Sequence, residues 1–152
     1  MATLERAILI AAQAHLGQRD KGGAPYILHP LRIMMRMESE AAMTAAVLHD
    51  VVEDSDWTLE RLRGEGFSEE VLQAVDCLTR RNYESYDEFV ARAQANPIAR
   101  LVKIADLEDN MNVKRLGEMT AKDLARIEEY HRAWRALTHD VDHVAMSDAQ
   151  EQ

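Results

Sequence analysis

The apolar run Ala41-Ala42-Met43-Thr44-Ala45-Ala46-Val47-Leu48 passes abruptly into His49-Asp50-Val51-Val52-Glu53-Asp54. Imidazole nitrogen and carboxylate oxygen are good ligands for divalent Mn, Fe or Zn. Four ionisable groups this close to a core need partners, protons or a cation. If helical spacing persists, Glu53 lies four residues after His49 and three after Asp50, and Asp54 four after Asp50. Those carboxylates then share one surface with the histidine. With Asp56 nearby, such a cluster of like charges is costly without a positive ion. A His-Asp dipeptide alone says little. The chain carries a second one, His139-Asp140, in a polar stretch with no adjacent apolar helix, and it reads as solvated surface.

Two remote segments strengthen the first site. His29 sits in Pro25-Tyr26-Ile27-Leu28-His29-Pro30, where flanking prolines restrict the backbone. Asp106 interrupts the apolar face of Leu101-Val102-Lys103-Ile104-Ala105-Asp106-Leu107-Glu108-Asp109-Asn110. Helical steps of three and four bring Lys103, Asp106 and Asn110 to one face, offering a cation, a ligand and an amide.

Taken with Ala14-His15-Leu16-Gly17-Gln18, Lys21-Gly22-Gly23-Ala24-Pro25-Tyr26-Ile27-Leu28-His29-Pro30 and Leu48-His49-Asp50-Val51-Val52-Glu53-Asp54, these motifs span roughly residues 4 to 137. The chain resembles the HD superfamily of metal-dependent phosphohydrolases. It is most similar there to the hydrolase domain of RelA/SpoT-type enzymes and to stand-alone small alarmone hydrolases. The resemblance implies that His29, His49, Asp50 and Asp106 ligate one divalent ion, usually manganese, with Fe, Zn or Mg as substitutes. It implies that Glu53 and Asp54 are the acidic pair needed for hydrolysis, and that Lys21 and Asn110 lie near the bound purine nucleotide. The implied reaction removes the 3′-pyrophosphate of a purine alarmone such as ppGpp. Arg19, Lys21 and Lys103 are the nearest cations for its phosphates. The alternatives are another HD-type phosphatase, acting on a nucleoside monophosphate or the 2′-phosphate of NADPH, and a silent nucleotide-binding module.

The chain departs from the family pattern twice. Asp20 stands where relatives carry an arginine, which leaves an adenine alarmone open beside a guanine one. Leu107-Glu108-Asp109-Asn110 replaces the common Arg-Leu-His-Asn, adding carboxylate near the site. Other chemically suggestive residues read as structural. His15 and His131 pack on helix faces, Met34, Met35 and Met37 fill the core, and Cys77 is an inert buried thiol. Arg80-Arg81 ends a helix in solvent, and Trp57 packs under the loop after the acidic cluster.

The elements that must position these groups are helical. Thr3 caps a helix to about Leu16, closed by Gly17; the Gly- and Pro-containing stretch 18–25 is a loop. A second helix is expected around Pro30–Met37, and a third from Ser39, apolar almost all round and so buried, running into the acidic cluster. Ser68, Ser85 with Glu88, Asn96-Pro97 and Thr120 with Asp123 open later helices. The helix after Pro97 is expected to reach Lys114 or Arg115. The last one shows Leu124, Ile127, His131, Trp134 and Leu137 at helical spacing and fades beyond Thr138. The expectation is an all-α, compact single-domain bundle of seven or eight helices over residues 1–138, with a polar tail over 139–152.

Composition agrees. Eight Met and only three Pro and six Gly in 152 residues favour helices. A net charge of −9 argues against nucleic acid or an anionic membrane as partner. Ala- and Met-rich faces leave room for a homodimer. One cysteine, with no membrane-length apolar run and no leader pattern, makes the cytoplasm the expected location. At this length, the synthetase and regulatory domains of the long relatives are not expected.

Overall fold

The structure is a computed structural model that describes the backbone of residues 1–148 and the side chains of residues 1–139. Thr3 opens α1 (Leu4–Ala14), its hydroxyl accepting the Arg6 N–H at 3.2 Å. Gly17, at φ +81°, turns the chain out of the helix in a conformation costly for other residues. The loop that follows folds back on itself. Tyr26 N–H donates to the Gln18 carbonyl and Asp20 N–H to the Ala24 carbonyl, both at 2.8 Å.

Helix α2 (Leu28–Met35) begins two residues earlier than the sequence suggests. Pro30 still falls in the first turn, where its missing N–H has no intrahelical partner to lose. His29 is thereby held on rigid backbone. Ser39 caps α3 (Glu40–Leu48) through the Ala42 N–H at 3.1 Å. As its apolar composition requires, α3 is the central helix: it touches α1, α2, α6 (Glu69–Cys77) and α8 (Pro97–Asn110). Ala45, Ala46, Val47 and Leu48 are fully buried.

The expected continuous run into the acidic cluster is broken. Helix α3 stops at Leu48, and a single turn, α4 (Val51–Asp54), follows. The break has a local cause: the Ala46 carbonyl accepts from the His49 imidazole at 2.6 Å and from the His49 N–H at 3.3 Å, tightening the last turn. After α5 (Leu59–Gly64) and α6, the Ser85–Glu88 capping box opens α7 (Tyr86–Gln94), and Asn96 caps α8 with Pro97 in its first turn. Helix α8 ends at Asn110, short of the expected Lys114 or Arg115. There Asn112 caps a separate 3-10 turn, Val113–Arg115, and the Arg115 guanidinium donates to the Asp109 carbonyl at 2.8 Å.

Thr120 and Asp123 cap α9 (Ala121–Asp148), which continues ten residues past Thr138. No Gly or Pro interrupts residues 121–148, so polarity alone does not end the helix. Among the described residues there are eight helices longer than one turn, the single turn α4 and no strand.

Two apolar clusters hold the bundle. The larger contains Ile10, Ile33, Leu48, Leu62, Leu72 and Val102. The smaller joins α7, α8 and α9 through Val90, Leu107, Ala133 and Leu137. Met34 and Met37 are buried as expected, but Met35 is 76% exposed and fills no core. Its position one residue after Met34 turns it to the other side of α2. His131 is also exposed: it stacks on Trp134 with ring centroids 6.1 Å apart rather than packing inward. Cys77 is half-buried, enough to push its thiol above the usual value. Trp57 packs against the larger cluster with the Arg61 guanidinium 4.1 Å over its ring.

Candidate active site

Three elements converge. The first turn of α2 supplies His29, the break after α3 supplies His49 and Asp50, and the middle of α8 supplies Asp106. One ligand atom from each of His29, His49 and Asp50 lies within 4.8 Å of the other two. Asp106 closes the group: its Oδ1 is 2.9 Å from His29 Nε2 and 3.5 Å from His49 Nε2. Asp50 Oδ2 is 3.0 Å from His49 Nε2 and 3.9 Å from His29 Nε2. Ligands about 2.1 Å from a tetrahedral ion stand about 3.4 Å apart. The separations bracket that value.

Both imidazoles present Nε2 because Nδ1 is occupied. His49 Nδ1 meets the Ala46 carbonyl, and His29 Nδ1 meets Asp109 Oδ2 at 2.6 Å. His49 Nε2 is buried with no well-aligned hydrogen bond, although Asp50 Oδ2 stands 3.0 Å away and Asp106 Oδ1 3.5 Å. That atom and the His29–His49–Asp50 group, with Asp106 Oδ1 against both histidines, fit a divalent cation. Electrostatics point the same way. Burial opposes charging of His29 and His49, yet neighbouring carboxylates outweigh it and hold both imidazoles above their usual value. Burial likewise opposes ionisation of Asp106, but Lys103 and the histidines hold it well below the carboxylate range.

A second layer fixes the carboxylates. Asn110 Nδ2 donates to Asp106 Oδ1 at 3.0 Å, and Lys103 Nζ lies 3.1 Å from Oδ2. Lys103 is buried, with its ammonium 4.7 Å over the Phe89 ring, and is spent on Asp106 rather than presented to solvent. The Tyr26 hydroxyl donates to Asp50 Oδ2.

The acidic pair on α4 is anchored on two different loops. Glu53 Oε1 accepts the Arg80 backbone N–H at 2.5 Å, and Asp54 Oδ2 accepts from Gln18 Nε2 at 3.1 Å. Burial, opposed by the Arg80 N–H and aided by Asp50, raises the Glu53 carboxyl above its usual value. Gln18 is oriented in turn by buried His15, whose Nδ1 is 2.9 Å from Gln18 Oε1. His15 thus packs as expected and also steadies this contact.

A cavity of about 300 Å³ opens beside the cluster. His29, Tyr26 and Asn110 line it together with Lys21, Arg115 and Arg126. Of the residues expected near a nucleotide, Lys21 and Asn110 line this cavity and Lys103 does not. Asp20, the acid in an arginine's place, is tied to Arg115 at 3.1 Å and to the Ala24 N–H at 2.9 Å. The α9 wall was missed in the sequence, although Asp123, Arg126, Ile127 and Tyr130 follow one another at helical steps that mark a single face. Arg80 lies over the Tyr86 ring at 5.7 Å. The exposed His139 stands edge-on to Trp134, and the Asp140 side chain lies outside the described residues.

An all-helical fold with a His-His-Asp group suited to a divalent metal defines an HD-type domain. The HD domain family model matches residues 7–150, and the chain belongs to that family. It is 34% identical over 147 residues to the mouse protein named guanosine-3′,5′-bis(diphosphate) 3′-pyrophosphohydrolase MESH1, covering 89% of this chain and 82% of that one. It is 31% identical over 120 residues to the Aquifex aeolicus guanosine-3′,5′-bis(diphosphate) 3′-pyrophosphohydrolase, covering 71% of this chain and 17% of that one. The chain thus spans less than a fifth of that bacterial relative. A solved structure described as a metazoan ortholog of SpoT that hydrolyzes ppGpp shares the fold, with a TM-score of 0.72 at 24% identity over 90% of this chain and 85% of its own.

Proposed function

We propose that the chain hydrolyses the 3′-pyrophosphate of purine alarmones, ppGpp or its adenine counterpart, releasing pyrophosphate and the 5′-phosphorylated nucleoside. The observation that carries this reading is the His29–His49–Asp50 group, with Asp106 against both histidines, beside a cavity that His29 lines together with cationic side chains. The mouse relative, matched along most of both chains, bears the name of that activity.

His29, His49, Asp50 and Asp106 would hold one divalent ion, Mn²⁺ by preference, with Fe, Zn or Mg as substitutes. Such an ion polarises a phosphoryl oxygen and makes water more acidic. The chain's own groups do the rest. Lys103 and Asn110 keep Asp106 ionised and oriented, and Tyr26 does so for Asp50. Glu53 and Asp54 position the attacking water, take its proton and return one to the leaving 3′-oxygen; help of this kind is worth about 10²- to 10⁴-fold in rate. Arg19, Lys21, Arg115 and Arg126 offset phosphate charge in a chain of net charge −9. Asp20, tied to Arg115, is an acid where the resemblance puts an arginine near the base, which is why adenine stands beside guanine in the proposal.

Residues 1–138 form the catalytic domain in this reading. No helix among the described residues is long and apolar enough to cross a membrane, and we assign the chain to the cytoplasm. The test is incubation with ppGpp and with its adenine counterpart, with and without Mn²⁺, products resolved by chromatography. Metal-dependent pyrophosphate release from either substrate is expected. Phosphate release alone would identify a different HD-type phosphatase, and tight nucleotide binding without turnover a silent module.

A further inference from the structure

His29 can offer Nε2 to a metal only while Nδ1 keeps its proton, and what faces Nδ1 decides that. The facing group is Asp109 Oδ2 at 2.6 Å, an oxygen that only accepts when ionised. Asp109 lies on α8 three residues past Asp106, and its side chain is 11% exposed. It is itself clamped. Arg32, one helical turn beyond His29 on α2, donates through Nε and a terminal nitrogen to the two Asp109 oxygens at 2.8 and 2.9 Å. Arg115 stands 3.6 Å from Oδ2 and bonds the Asp109 carbonyl at 2.8 Å. The other histidine needs no such help, since His49 Nδ1 is held by the backbone of its own helix. Of the two histidines, only His29 depends on a side chain from a different helix.

We propose that Asp109, clamped by Arg32, is a positioning residue that locks the His29 ring and its Nδ1–H, so that metal affinity at this site is set by a carboxylate outside the ligand group. The inference rests on the reading of His29 as a ligand. Outer carboxylates of this kind are typically worth 10- to 100-fold in metal affinity.

Calorimetric titration of Mn²⁺ into the metal-free full chain tests it without turnover. Asp109→Asn is expected to bind about 10- to 100-fold more weakly than wild type. In ¹⁵N-labelled protein loaded with Zn²⁺, the wild type shows an exchange-protected His29 Nδ1–H that Asp109→Ala, which leaves no acceptor there, loses. Lost packing elsewhere would not remove that one resonance. Affinity within twofold of wild type, with the resonance intact, overturns the proposal. Should Asp109→Asn fail to fold, Arg32→Gln leaves the carboxylate in place but unclamped. A loss of more than twofold in that variant supports the inference, and a smaller one overturns it. If wild type takes up neither Mn²⁺ nor Zn²⁺, the metal reading itself falls and this inference with it; if wild type binds and the variants bind equally, only the positioning role falls.

Discussion

Glu53, one of the two acids proposed to handle the attacking water, illustrates what a partly desolvated carboxylate costs the fold. Burial, with Asp50 and Asp54 adding repulsion, holds it above the usual value although the Arg80 N–H and Lys103 pull the other way. An acid whose folded value exceeds its unfolded one destabilises the native state in its charged form. That penalty is fully present above the folded value and absent below the unfolded value of about 4.3. Metal-free Glu53→Gln, which keeps an acceptor for Arg80, is therefore expected to melt at a higher temperature than wild type at pH 7. The difference should vanish by about pH 4. The same variant should lose turnover by about 10²-fold or more while still taking up metal. Melting curves at the two pH values and a metal titration check this; a variant that melts lower at pH 7, or turns over normally, contradicts it. The types and order of His29, His49, Asp50 and Asp106 were legible in the sequence because each breaks an apolar or proline-bounded context. The roles of Asp109, Arg115 and Tyr26 were not, since those depend on contacts between segments 24 to 95 residues apart.

At the scale of elements, the loop between α1 and α2 forms one wall of the cavity, and its tightest point is Gly22. A Cβ there would stand 2.8 Å from the Arg115 carbonyl oxygen, a backbone atom that cannot swing aside. Gly22→Ala must therefore move either the loop or the 3-10 turn, at a cost of about 1–3 kcal/mol for overpacking. The shift would loosen the Asp20–Arg115 pair. Weaker substrate binding is expected, read as a raised KM with kcat less affected, together with a small fall in melting temperature. An unchanged KM would show that the loop does not shape the cavity. Helix starts were readable here because capping is local: Thr3, Ser39, Ser68, Ser85 and Asn96 all cap as their spacing implies. Helix ends were less so. The break at His49 and the stop at Asn110 each depend on a side chain returning to a carbonyl, and no periodicity encodes that.

Across the whole molecule, α9 is both wall and strut. Its first three turns bring Asp123, Arg126, Ile127 and Tyr130 to the cavity. Its middle buries Ala133 and Leu137 against α7 and α8, and Arg100 donates to the Leu137 carbonyl at 2.8 and 3.1 Å. Past Thr138 the helix goes on, but residues 139–152 contain four acids and no Lys or Arg, a negative arm on a chain whose proposed substrate is a polyanion. Ending the chain after Thr138 removes charge while sparing the Leu137 anchor. The shortened protein is expected to melt within about 2 °C of the full chain, a shift that corresponds to less than about 1 kcal/mol at this size. Its kcat/KM at low ionic strength should be equal or higher, with any gain disappearing as salt screens the arm. Ending the chain after Arg132 instead removes Ala133, Trp134 and Leu137 and empties one side of the smaller core. Burial losses of about 2–5 kcal/mol per large side chain then exceed what a domain of this size can spare, so cooperative melting should be lost. Thermal melts and steady-state kinetics on the two shortened chains separate strut from arm. A shortened chain ending at Thr138 that no longer melts cooperatively would place the domain boundary further along the helix.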